Sequence, residues 1–239
     1  MIEGTPQMMT RFWAIGKPVP VFALVSGVML VSVGLLSYGV SGSVLAAISV
    51  FAVVIALCLR GLLNGYPHDV FGACNAVTLG RAGLVAVLAG AISIPVSTWA
   101  IFGVSVIAFA LDGVDGWLAR RTGLTSAFGA RFDMEVDTLL GAVLAVILLL
   151  TAEVGPAILV LGFSRYVFVL TGLKWSALQG DLPESYRRKA ICVLQIGALI
   201  ILIFPLTPVA MMLPISLFAA TALLYSFAAD ALYLLRNTP

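Results

Sequence analysis

Five of the chain's eleven acidic residues fall in one short window, Asp112, Asp115, Asp133, Glu135 and Asp137. At about 100° per residue, Asp112, Asp115, Gly116 and Ala119 share one face of a helix. Gly129, Asp133 and Asp137, each four apart, form a stripe along the next helix. Packed side by side, the two helices present four carboxylates opposite a surface made shallow by glycine and alanine. Glu135 points about 160–200° away from Asp133 and Asp137, outside this group and free to pair with a basic side chain.

Each ionised Asp at the centre of a bilayer costs about 2.5–3.5 kcal/mol on insertion scales, and four facing one another repel. A cation must offset this. All-oxygen ligands select hard divalent ions, Mg²⁺ or Mn²⁺, and the absence of His or Cys nearby argues against zinc. Two ions can share the four carboxylates of Asp112, Asp115, Asp133 and Asp137. Metals held this way stabilise a phosphoryl group in flight and a diphosphate leaving group, so phosphoryl or phosphatidyl transfer is the natural chemistry. Gly116 and Gly129 would let a substrate approach the backbone, Ala119 leaves room for a base or ribose, and Arg120 can pair with phosphate. The bland alternative is a solvated turn in which the acids pair with Arg120, Arg121 and Arg131, but such a turn has no need of residues phased onto facing stripes.

The elements that must position these residues are membrane helices. With 62% hydrophobic and 10% charged residues in 239, the chain has too little polar surface for a soluble globule. Apolar segments run at about 19–38, 43–59, 76–92, 96–118, 134–152, 155–173, 190–206 and 209–235, which predicts an all-α polytopic membrane protein of about eight transmembrane helices. Gly and Pro mark the breaks. Threaded through a bilayer, Arg11, Lys17, Arg60, Arg81, Arg120, Arg121, Arg131, Lys174, Arg187, Arg188, Lys189 and Arg236 gather at or near one side. The opposite turns carry only Glu153, so the positive-inside rule places both termini in the cytoplasm. The expected location is the bacterial inner membrane, with the acidic cluster at the cytoplasmic face. Cys58, Cys74 and Cys192 have no paired spacing and suggest neither a disulfide framework nor a thiolate metal site. The net charge of +2, with no basic run interleaved with aromatics, argues against nucleic acid as a partner. His68 and Asp69 lie in a polar connection and read as surface residues. The polar stretch Leu173 to Lys189 is either an active-site loop or a plain connector.

The pattern Asp112-x-x-Asp115-Gly116-x-x-Ala119-Arg120, eight residues, Gly129-x-x-x-Asp133-x-x-x-Asp137 resembles the complete signature of the CDP-alcohol phosphotransferase family. Eight fixed residues at fixed spacing make it specific, where a lone pair of aspartates would not be. The resemblance covers roughly 73–236, which would be a six-helix core. It would follow a cytoplasmic segment at 1–18, two additional transmembrane helices at 19–60 and a cytoplasmic connection at 61–72. It implies attack by an acceptor hydroxyl on the lipid-linked phosphorus of a CDP-alcohol, typically CDP-diacylglycerol, with release of CMP. It also implies a homodimer in the lipid bilayer. Carried over by position, Asp112, Asp115 and Asp133 would be metal ligands, and Asp137 a ligand and the general base. Asp115, Gly116, Ala119, Arg120 and Gly129 would cradle CDP. Asn75-Ala-Val-Thr78-Leu-Gly-Arg81 is similar to the family's Asn-x-x-Thr-x-x-Arg stretch, whose polar groups reach the nucleotide phosphates. Helix capping by Asn75 and a positive-inside role for Arg81 are the structural alternatives.

Arg165 sits within an apolar run, about 13 Å along the helix from Lys174, and needs an anionic partner. With Arg188 and Lys189 it resembles the acceptor site of members that use phosphorylated acceptors. The Gly-Lys-x-Lys-Thr pattern of glycerol 3-phosphate-type members is here Arg188-Lys189-Ala-Ile191-Cys192, with one lysine and the threonine missing, which counts against glycerol 3-phosphate and leaves inositol phosphate or another phosphorylated polyol open. The same basic cluster would serve equally as a positive-inside anchor. A cation transporter with intramembrane carboxylates is the alternative from another class. It accounts for the aspartates but not for the glycines, and it predicts acids near mid-membrane rather than at the inner ends of helices.

Overall fold

The computed structural model describes residues 14–15, 17–40, 43–152, 154–175, 180 and 185–237. Among them a two-residue strand β1 (Ala14–Ile15) precedes helices α1 (Pro18–Val40) and α2 (Val44–Leu63). Strand β2 (Phe71–Gly72) leads into α3 (Ala73–Gly90), followed by α4 (Thr98–Thr122), α5 (Ala127–Thr151), α6 (Ile158–Lys174), α7 (Tyr186–Ile203) and α8 (Val209–Asn237). The two strands pair antiparallel, Ala14 with Gly72 and Ile15 with Phe71. Everything else that is regular among the described residues is helical, so the all-α expectation holds.

Among the described residues six helices, α1 to α5 and α8, are long and apolar enough to cross a membrane. The chain is an integral membrane protein. Helix α6 has 17 residues, a length of about 25 Å, and α7 opens on Arg187, Arg188 and Lys189. Residues 176–179 and 181–184 of the polar stretch 173–189, like Arg11 and Glu153, lie outside the described residues.

The two acid-bearing helices differ from their apolar segments in an instructive way. Helix α4 continues past the apolar run to Thr122 and stops at Gly123, whose φ of 70° is left-handed and whose N–H donates to Ala119 O. Only glycine adopts that conformation without cost. Helix α5 begins at Ala127, seven residues before the apolar run at 134, because Ser126 caps it: its Oγ accepts from Gly129 N at 3.0 Å. A four-residue connection therefore joins the two helices, with the acids at the adjoining ends.

The chain divides into two compact units, Met1–Val136 and Asp137–Pro239, with α5 running from one into the other. In the first unit α3 is the central element, packed by α1, α2 and α4 and buried over most of its length. Helix α1 is apolar all round. It buries Phe22, Ser26, Val33 and Ser37 along one side and exposes Leu24, Val28, Val31 and Leu35 on another, as expected of a lipid-facing helix. Close approach to α3 depends on small residues, as in other membrane interfaces. A Cβ at Gly90 would lie 2.9 Å from Ser37 Oγ and 3.1 Å from Ser43 O. In the second unit Leu140, Leu144, Leu148, Ile158, Leu161 and Leu199 form the core. Gln195 Nε2 donates to Leu161 O, and Arg187 ties α7 to α8 through Ser226 and Asp230.

Candidate active site

The most buried cation of the first unit is Arg81, with a side chain 1% exposed in the middle of α3. Its Nη2 lies 3.0 Å from Asp112 Oδ1. Its Nη1 lies 2.9 Å from Asp115 Oδ2 and 2.5 Å from Asp133 Oδ1, and its Nε donates to Ala108 O at 3.1 Å. One guanidinium thus gathers acids from α4 and α5. A planar fork with five donors does this where an ammonium would not. The sequence placed Arg81 against nucleotide phosphates; in the structure its donors are turned to the acids.

The acids are not equivalent. Asp115 is buried at 3% exposure and also accepts from Thr78 Oγ1 at 2.8 Å. Asp112 and Asp133 are partly open, at 32% and 39%, with carboxylate oxygens within 4.8 Å of each other. Asp137 follows Asp133 by one turn of α5, half-buried, with Cys192 Sγ 4.0 Å from its Oδ2. Asp112, Asp133 and Asp137 are carboxylates of the kind that hold a divalent metal, and the chemistry of these donors, all of them oxygen, suits a hard divalent ion. Glu135 is exposed.

The family model for CDP-alcohol phosphatidyltransferase matches residues 71–227. The chain belongs to that family. It is accordingly a transferase of substituted phosphate groups, from a family that moves a phosphatidyl group from a CDP-alcohol, depends on a divalent metal and works on membrane lipids. No curated protein and no solved structure matches the sequence.

The other residues of the transferase's signature lie around the acids. Gly116 faces Arg120, whose Nη1 would sit 3.4 Å from a Cβ at that position. Ala119 is half-buried and Arg120 exposed on the last turns of α4. Gly129 faces Asn75, whose Oδ1 would lie 3.4 Å from an added Cβ. Asn75 is buried at 3% exposure in the first turn of α3. Rather than capping that helix, its Nδ2 donates to Tyr66 Oη at 2.9 Å. In the second unit, Arg165 is half-buried on α6, Arg188 lies 3.6 Å from Asp230 Oδ1 and Lys189 is exposed.

Sequence reasoning missed Tyr66. It stands in the connection before the family match, with no periodicity or motif around it. Its hydroxyl donates to Val70 O at 2.9 Å, and burial pushes the phenol above its usual range, so it stays protonated at neutral pH.

Proposed function

We propose that the protein is a cytoplasm-facing enzyme of the bacterial inner membrane, acting as a homodimer, that transfers phosphatidyl from CDP-diacylglycerol to the hydroxyl of a phosphorylated polyol. Its six-helix core spans 73–236, preceded by two additional helices. The observation that carries this reading is the convergence of Asp112, Asp115 and Asp133 on one buried Arg81. Acids held by a guanidinium inside helices are a prearranged oxygen-ligand cluster rather than a solvated turn.

Asp112, Asp115, Asp133 and Asp137 would hold the Mg²⁺ or Mn²⁺ ions, which when bound neutralise the diphosphate and stabilise charge on the phosphorus. Asn75, Thr78, Arg81, Gly116, Ala119, Arg120 and Gly129 would form the wall for CDP, with Thr78 and Arg81 acting through the acids they hold. Asp137 takes the proton of the acceptor hydroxyl. The hydroxyl oxygen forms a bond to the lipid-linked phosphorus. The bond from that phosphorus to the bridging oxygen breaks, and CMP leaves with the electron pair. Arg165, Arg188 and Lys189 would bind the acceptor's phosphate, and glycerol 3-phosphate and inositol phosphate are the first acceptors to try.

The test is CMP release from labelled CDP-diacylglycerol by purified protein with Mg²⁺ or Mn²⁺, screened across phosphorylated and free polyols and amino alcohols. Turnover only with a phosphorylated polyol supports the reading in full. Turnover with another class of acceptor moves the acceptor assignment. No turnover with any of them, together with divalent-ion flux into liposomes, would replace it with transport.

A further inference from the structure

We propose that Tyr66 is a positioning residue of the nucleotide pocket, holding the Asn75 carboxamide toward Gly129 and bracing the start of α5 against the start of α3. The proposal rests on the reading of Asn75 and Gly129 as part of the CDP wall. It adds a residue that lies outside both the signature and the family match.

The geometry is a chain of fixed contacts within the first unit. Tyr66 Oη donates to Val70 O, so a lone pair is left to accept from Asn75 Nδ2. With its amide nitrogen committed, Asn75 turns its Oδ1 to Gly129. An amide of this kind otherwise rotates broadly about its last torsion. The tyrosine ring meets Phe128 edge-on, with centroids 5.4 Å apart, directly before Gly129. It also meets His68 at 5.5 Å, and His68 Nε2 lies 3.1 Å from Thr125 O, next to the serine that caps α5. One side chain therefore touches both walls, by a hydrogen bond on α3 and by ring packing on α5.

Its two parts separate experimentally. Tyr66→Phe keeps the ring and removes the hydroxyl; Tyr66→Leu removes both. In the full-length protein with Mg²⁺, binding of CMP by calorimetry is expected to weaken five- to twenty-fold in Tyr66→Phe. KM for CDP-diacylglycerol should rise to match, with kcat and the melting temperature nearly unchanged. Asn75→Ala should lose at least as much, and the double variant no more than Asn75→Ala alone, because the hydroxyl acts only through that carboxamide. Tyr66→Leu should lower the melting temperature as well. Wild-type CMP affinity in Tyr66→Phe, or losses that multiply with Asn75→Ala, would overturn the proposal. A loss of kcat with KM unchanged would do the same. If the wild-type protein binds no CMP, the reading of the pocket falls first and takes this proposal with it.

Discussion

As the proposed metal ligand and general base, Asp137 would do two things that a mutation can separate. An Asn there keeps the size and one oxygen but cannot accept a proton. Asp137→Asn is expected to reduce turnover by at least about a hundredfold, within the range general-base catalysis supplies, while CMP binding largely survives; calorimetry beside a CMP-release assay checks both. Arg81 offers a second test. Removing one partner of a buried charge network costs about 3–5 kcal/mol, so Arg81→Gln should lower the melting temperature sharply in chelator. Added Mg²⁺ should restore part of the loss, because a cation can then take up the charge the guanidinium carried. A melting curve indifferent to Arg81 would mean that the acids do not depend on it. The acids themselves were legible from spacing alone, since four-residue and three-residue steps mean one thing on a helix. The partner of Arg81 was not: three helices decide it, and no local pattern reports which carboxylate a buried cation will meet.

Among the elements, the packing of α5 on α6 turns on one residue. A Cβ at Gly162 would lie 2.6 Å from Ala145 Cβ and 3.1 Å from both Ala142 Cα and Gly141 O, whereas Gly197 on α7 has nothing within 4 Å. Overpacking costs about 1–3 kcal/mol, so Gly162→Ala should destabilise by that amount. Gly197→Ala should be neutral or slightly stabilising, because alanine is the better helix former. Thermal unfolding of the two variants in one detergent decides it. Helix identities were readable from hydropathy, but helix ends were not. Residues 127–133 are too polar to register as part of a membrane segment, and it is the Ser126 hydroxyl that lets α5 start there. Tyr66 escaped for a related reason: its partners are 9 and 62 positions away, in a connection whose composition carries no signal.

For the whole molecule, the distribution of basic residues fixes an expected orientation. In a variant with the native cysteines replaced, a cysteine at exposed Ser97 should react with an impermeant maleimide from outside intact cells. One at exposed Thr125 should react only after permeabilisation. The opposite labelling would invert the topology and put the acidic cluster on the wrong face for a cytoplasmic donor. This expectation is drawn from the sequence alone, because charge sidedness is a property of the chain as threaded, before any packing. The docking of α1 and α2 on α3 was not legible there, since it depends on small-residue faces that look like any other apolar stretch.

That docking bears on how the protein is made. Helix α3 is the least apolar of the six long spans and carries Arg81, while the acids that satisfy it lie 31, 34 and 52 positions downstream. Chains emerge N-terminus first at about 5–20 residues per second, so for some seconds the arginine waits without its counter-ions. The hairpin of α1 and α2 has been translated by then, and it presents a ready surface for the small-residue side of α3. A pair of helices that lies ahead of the family match thus offers a reluctant segment somewhere to lodge until its carboxylates arrive.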